Sequence, residues 1–207
     1  MDIAALYQLD TAPAIQRLLC CRTLDRLMEA LSTAGEGWFL VLVVVALAWK
    51  ANPVRQEAIR SALLGLTSLA VTGALVVGIK HLVRAPRPLQ LLGPEQVREL
   101  REPLRLMSFP SGHSAAAAAL AMWASRQPSV GTRRWPWLLA LLVGLSRVYV
   151  GAHWVTDVVG GWLLGVATAA LVDWAWPRPR RAMAGLAGLA EAGTGPAEAP
   201  ASTGSLE

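Results

Sequence analysis

The chain has 207 residues, enough for one domain, with 54% hydrophobic and only 16% charged residues. An ordinary soluble domain carries about 25% charged residues, so this composition excludes one and points to a membrane protein. The net charge is +5, but the bases sit between apolar runs rather than in an aromatic-interleaved patch. That placement favours an anionic membrane surface and excludes nucleic acid as a partner. Cys20 and Cys21 are adjacent and the only cysteines, which fits neither a disulfide nor a metal site.

In chain order, residues 1–30 mix Leu6, Leu9, Ile15, Leu18, Leu24 and Leu27 with Asp10, Arg17, Arg22, Asp25 and Arg26. This pattern predicts one or two amphipathic helices lying at the interface. Met1–Asp10 has no basic stretch followed by an apolar run, so no signal peptide is expected there. Five apolar segments follow, near 31–49, 61–79, 113–124, 135–150 and 155–176. A crossing takes roughly 20 apolar residues. The second and fifth reach that length, the first does so if Glu36 is tolerated near its end, and the third and fourth borrow polar flanks. Glu36 itself reads as a cap or packing residue. Between the second and third segments, Val97, Leu100 and Leu104 have helical spacing, and a short surface helix and a plain solvated loop fit equally. From Ala182 onward the residues are Ala, Gly, Pro, Glu, Ser and Thr, a composition that predicts disorder. Gly204–Glu207 reads as an expression scar.

The expected architecture is therefore all-α: a polytopic transmembrane bundle of five or six spans. The expected divisions are an interfacial segment at 1–30, a membrane domain at 31–180 and a tail at 181–207. Lysine and arginine placement sets the orientation. Lys50, Arg55, Arg60, Arg126, Arg133, Arg134, Arg178, Arg180 and Arg181 fall on one face, which predicts that face to be cytoplasmic. The loops around 81–109 and 151–154 then face outward, to the periplasm or cell exterior, from the inner (cell) membrane. Trp38, Trp49, Trp135, Trp137, Trp174 and Trp176 sit near segment ends, as an aromatic belt would.

Three short stretches hold most of the polar residues that look out of place. They are Lys80 to Arg87-Pro88, Pro110-Ser111-Gly112-His113, and Ser146-Arg147 through His153 to Asp157. With alternating spans, all three reach the same face. Lys80, Arg87 and Arg147 are three cations, and guanidinium forks match phosphate oxygens. Ser111 and the Gly112 amide sit at a predicted helix start, where free N–H groups and the dipole bind anions. His153 and Asp157 are spaced i, i+4, which on a helix puts them on one face. The carboxylate can then accept from one imidazole nitrogen and leave the other as nucleophile or base. His113 supplies a second imidazole, suited to protonating a leaving oxygen. His81 reads as a polar anchor, and Arg84 equally as a substrate contact or a solvated charge. Intramembrane ionisable residues are costly, so His113 and His153 read as functional.

These stretches resemble the type 2 phosphatidic acid phosphatase superfamily. Its pattern is K-x6-R-P, then P-S-G-H, then S-R-x5-H-x3-D, and this chain fills every position. The resemblance covers roughly residues 31–176. It implies that His153 attacks phosphorus to form a phosphohistidine, Asp157 orients it, and His113 is the general acid. Lys80, Arg87, Ser111, Gly112 and Arg147 would hold the phosphoryl oxygens. No metal and no cofactor would be needed. The implied activity is hydrolysis of a lipid phosphate or diphosphate in the membrane: undecaprenyl diphosphate, phosphatidylglycerol phosphate or phosphatidic acid. Two alternatives stand beside it, a phosphotransferase passing phosphate to an acceptor such as lipid A, and a non-catalytic scaffold or transporter. Oligomeric state is left open by the sequence.

Overall fold

A computed structural model describes residues 21–98, 100, 107–128, 130 and 134–176. Regular structure among them is helical throughout: α1 Arg22–Ala34, α2 Gly37–Ala51, α3 Arg55–Val83, α4 Pro88–Leu92, α5 Gly112–Ala124, α6 Trp135–Tyr149 and α7 Val155–Ala175. Two of these, α3 and α7, are by themselves long and apolar enough to cross a membrane. The bent pair α1–α2 passes the same test if taken as one span. The expected tail at 181–207, residues 1–20 of the interfacial segment, and 101–106 of the suggested surface helix lie outside the described residues.

α5 is the hub. It packs against α2, α3, α6 and α7, and its contact with α7 is the most extensive in the bundle. At 13 residues it is about 20 Å long, and nine of those residues are buried. An apolar helix with no polar face belongs inside a bundle, so this segment reads as short because it faces protein. Its alanines let neighbours approach to backbone contact. A Cβ on Gly165 would lie 2.0 Å from the Ala115 carbonyl oxygen, and one on Gly161 2.6 Å from the Ser111 carbonyl oxygen. Gly161 and Gly165 form the G-x3-G spacing that membrane helices use for close crossings.

α3 shows the same logic from the other side. Its bundle face carries Ala58, Gly65, Ser68, Thr72 and Val76, while Leu63, Leu75, Val77 and Leu82 point outward. Small residues inside and large aliphatics outside is the arrangement expected where lipid is the solvent. Ser68 and Thr72 bond back to carbonyls four residues earlier, at 2.9 and 2.7 Å. The far end of the bundle is laced by Trp123 Nε1 donating to the Ser61 carbonyl at 3.0 Å and by Ser61 Oγ donating to Gln127 Oε1 at 2.6 Å.

In the N-terminal part, α1 runs across residues 30 and 31, and the chain breaks at Gly35 and Glu36, where α1 and α2 meet at 66°. A side chain at Gly35 would meet Val143 Cγ1 at 2.6 Å and the His113 ring at 3.2 Å, so the turn passes against α5 and α6. Glu36 takes the N-cap position of α2 without a side-chain cap bond, and its carboxylate accepts from Trp38 Nε1 at 2.7 Å. α1 is amphipathic: Leu24 and Met28 pack on Tyr149, Val150 and Ala152, while Arg22 and Arg26 are exposed.

Candidate active site

Three loops meet at the end of the bundle where α3 stops and α5 and α7 begin. Lys80, near the end of α3, donates its ammonium to the carbonyls of Met107 at 2.5 Å and Ser108 at 3.0 Å. The Ser108 amide donates to the Ala85 carbonyl at 2.9 Å, and the Ser111 amide to the Asp157 carbonyl at 3.0 Å. Arg87 Nη1 donates to the Ala152 carbonyl at 2.6 Å, and Trp154 Nε1 to the Pro86 carbonyl at 2.9 Å. Each loop thus holds the other two. Phe109 sets the middle loop's height over α7, since a Cβ on Gly160 would lie 2.5 Å from its ring.

His153 lies in the loop between α6 and α7 and is 2% exposed. That loop starts with a turn at Gly151, whose φ of +77° needs glycine. The amides of Ala152 and His153 then both donate to the Arg147 carbonyl, at 3.2 and 3.3 Å. His153 Nδ1 sits 3.2 Å from Asp157 Oδ2. The i, i+4 pairing holds, but not on one continuous helix. His153 precedes α7, and Asp157 sits in its first turn, where Oδ2 also accepts from the Trp154 amide at 3.0 Å. This is one half of a capping box, with the third helical residue reaching back to the N-cap amide. Asp157 therefore starts α7 and orients the histidine with the same oxygen. A third donor, the Ser108 hydroxyl, bonds to that oxygen too. With Nδ1 held by the carboxylate, Nε2 is the ring nitrogen left for chemistry. Burial, then the charges of Arg87, Arg147 and Lys80, hold the His153 imidazole well below its usual pKa. It is therefore neutral at neutral pH, with its lone pair available.

The cations are partly engaged by protein. Arg87 is 5% and Arg147 1% exposed, and Arg147 Nη1 donates to the Ser32 hydroxyl of α1. A guanidinium carries five N–H donors and an ammonium three, and these bonds fix the direction of each side chain. Ser111 is the N-cap of α5: its Oγ accepts from the Ser114 amide at 3.4 Å and from Ser114 Oγ at 2.9 Å. Gly112 is the first residue of α5. A Cβ there would meet nothing nearer than Val76 Cγ1 at 3.6 Å, so packing within the protein does not explain the glycine.

His113 lies one residue further along. Beside it opens an apolar cleft of about 380 Å³, lined by Val41 of α2, Leu66, Leu69 and Gly73 of α3, and Gly112 and His113 of α5. Arg84 caps α3 in the left-handed region and donates to the His81 carbonyl at 3.2 Å. Both side chains are exposed. Sequence reasoning missed Ser108 and Ser32. For Ser108 a signal existed, a hydroxyl two residues before Pro110 in an otherwise apolar run. Ser32 gave none, being 115 residues from Arg147.

A family model described as the PAP2 superfamily matches residues 61–181. An undecaprenyl-diphosphatase of Sulfolobus acidocaldarius is 31% identical over 151 residues, covering 69% of this chain and 66% of the relative. A decaprenylphosphoryl-5-phosphoribose phosphatase of Mycobacterium tuberculosis is 33% identical over 148 residues, covering 70% and 76%. The chain thus spans about two thirds of the first relative's length and about three quarters of the second's. Among solved structures, a transmembrane PAP2-type phosphatidylglycerolphosphate phosphatase of Bacillus subtilis superposes with a TM-score of 0.68. It is 26% identical, with 83% of this chain and 85% of that one covered.

Proposed function

The chain belongs to the PAP2 superfamily and is a membrane lipid phosphatase, and on that premise we propose that it hydrolyses a polyprenyl phosphate or diphosphate through a phosphohistidine. The observation that carries the reading is the adjacency of two unlike spaces. Gly112 and His113 line the apolar cleft, while Lys80, Arg87, Arg147 and His153 gather on the polar side. A lipid phosphate has this division, an apolar chain joined through one oxygen to a charged group. The two relatives described above carry names of polyprenyl-linked substrates, which supports this class over phosphatidylglycerol phosphate and phosphatidic acid.

In the proposed reaction, Nε2 of neutral His153 attacks phosphorus. The bond from phosphorus to the lipid-side oxygen breaks, and that oxygen takes a proton from His113. His153 becomes phosphorylated on Nε2, and Asp157 stabilises the cationic ring through Nδ1–H. Water, losing its proton to His113, then attacks phosphorus. The N–P bond breaks, releasing phosphate and restoring both histidines. Lys80, Arg87, Arg147 and the first amides of α5 stabilise charge on the non-bridging oxygens throughout. Charge compensation comes from side chains and backbone, so chelation by EDTA should leave turnover intact. The proposal includes residues 31–180 as the phosphatase domain and the loop end of the bundle facing outward.

Phosphate release by purified protein in detergent tests this reading. The panel is undecaprenyl diphosphate, phosphatidylglycerol phosphate and phosphatidic acid. The polyprenyl substrate should lead in kcat/KM by about ten-fold, the size of one to two extra methylene contacts. Equal rates on all three would remove the polyprenyl assignment, and transfer to an added lipid acceptor without free phosphate would favour the transferase.

A further inference from the structure

Ser108 belongs to no motif, yet it stands at the centre of the site. It is fully buried, and its three polar groups face three different parts of the machinery. Its carbonyl accepts from Lys80 Nζ at 3.0 Å, and its amide donates to the Ala85 carbonyl at 2.9 Å, before Arg87. Its hydroxyl bonds to Asp157 Oδ2 and lies 3.5 Å from His153 Nδ1.

We infer that Ser108 is a positioning residue for the phosphohistidine reaction, its hydroxyl fixing the Asp157 carboxylate so that Oδ2 faces Nδ1 of the nucleophile. Asp157 Oδ2 takes three donors: the Trp154 amide, the His153 ring and the Ser108 hydroxyl. The first two come from the chain just before α7, so by themselves they leave the carboxylate's approach from the α5 side open. Ser108 supplies a constraint from a separate loop. That loop is itself fixed by Phe109 against Gly160 and by Lys80. The hydroxyl also shares the carboxylate's charge. Without it, Oδ2 is a stronger partner for a protonated imidazole, and the ring holds a proton to higher pH.

This rests on His153 being the nucleophile, so the test carries both variants. Ser108→Ala should lower kcat by about ten-fold or more with KM within about two-fold, because the interaction matters in the transition state. The acid limb of kcat/KM, which reports protonation of the free-enzyme nucleophile, should move toward neutral pH. Ser108→Thr, which keeps the hydroxyl, should recover most of the rate. Inhibition by inorganic phosphate, a ground-state ligand, should be unchanged within about two-fold, showing the fold and the anion cradle intact. If Ser108→Ala does not yield folded protein, Ser108→Cys, close in volume and a weak donor, should show the same kcat loss and limb shift. An unmoved acid limb with kcat within about two-fold of the parent would overturn the role of Ser108, as would a change confined to KM. In those cases a dead His153→Ala leaves the phosphohistidine reading standing; an active His153→Ala removes that reading first.

Discussion

The two histidines sit in contrasting surroundings. His153 is enclosed, fixed through its ring, its amide and its carboxylate neighbour, and surrounded by cations. His113 stands at the edge of an apolar cleft with glycines on either side, Gly35 against its ring and Gly112 before it. Bonds from three loops define the first position. The packing of three helices around an apolar space defines the second. The contrast matches what each step of the proposed reaction demands: attack on phosphorus tolerates little displacement, whereas the leaving side would accept a long and variable chain.

Two substitutions and two substrates separate the roles of the histidines. His153→Ala should abolish turnover of every phosphate ester, by about 10⁴-fold or more. His113→Ala should cost about 10²- to 10⁴-fold on an alkyl phosphate, whose oxygen needs a proton. On p-nitrophenyl phosphate, a good leaving group, the His113 loss should be far smaller and the His153 loss unchanged. Equal losses on both esters would show that the two histidines do not divide the work.

The cleft can be filled without touching the cradle. A Cβ on Gly73 meets nothing within 4 Å, so Gly73→Leu should extend into the space beside His113. KM for the long-chain substrate should rise by about ten-fold, while short-chain phosphate hydrolysis stays as it was. The enclosed side has a milder probe in Ser32→Ala. Arg147 loses one buried partner, worth about 1 kcal/mol, and vanadate affinity should fall by about five-fold. The smallest effect is expected at the opposite end of the bundle. Arg126 and Asp173 form a partly exposed ion pair, and Asp173→Asn should change neither activity nor melting temperature measurably, because exposed pairs contribute about 0–1 kcal/mol.

The polar residues of the site were legible because they are costly. Lys80, Arg87, Arg147, His153 and Asp157 stand out against apolar neighbours, and their loops meet at one end of the bundle. Helix extents were less legible. α3 runs from Arg55 to Val83 rather than 61–79, because its charged ends continue the helix beyond the apolar stretch. The break at Gly35 was hidden, since it depends on Val143 and His113, residues distant in sequence. The i, i+4 spacing of His153 and Asp157 correctly brought the pair together, but suggested one helix where a cap does the work. Ser108 and Ser32 were missed for a common reason. A lone serine in an apolar run costs little, so it stands out far less than a buried charge, and its partners lie in other loops or helices.

The alanine helix has one more consequence. α5 and α7 both begin at the site and run side by side in the same direction, held at backbone contact by Gly161 and Gly165. Their positive ends therefore lie together, where like partial charges repel. α7 carries Asp157 in its first turn; α5 carries no acidic residue in its own. On the proposed mechanism, the phosphoryl group supplies the counter-charge at α5 during each catalytic cycle. Binding and folding are coupled on this account: a resident oxyanion such as vanadate raises the melting temperature by relieving a repulsion built into the scaffold.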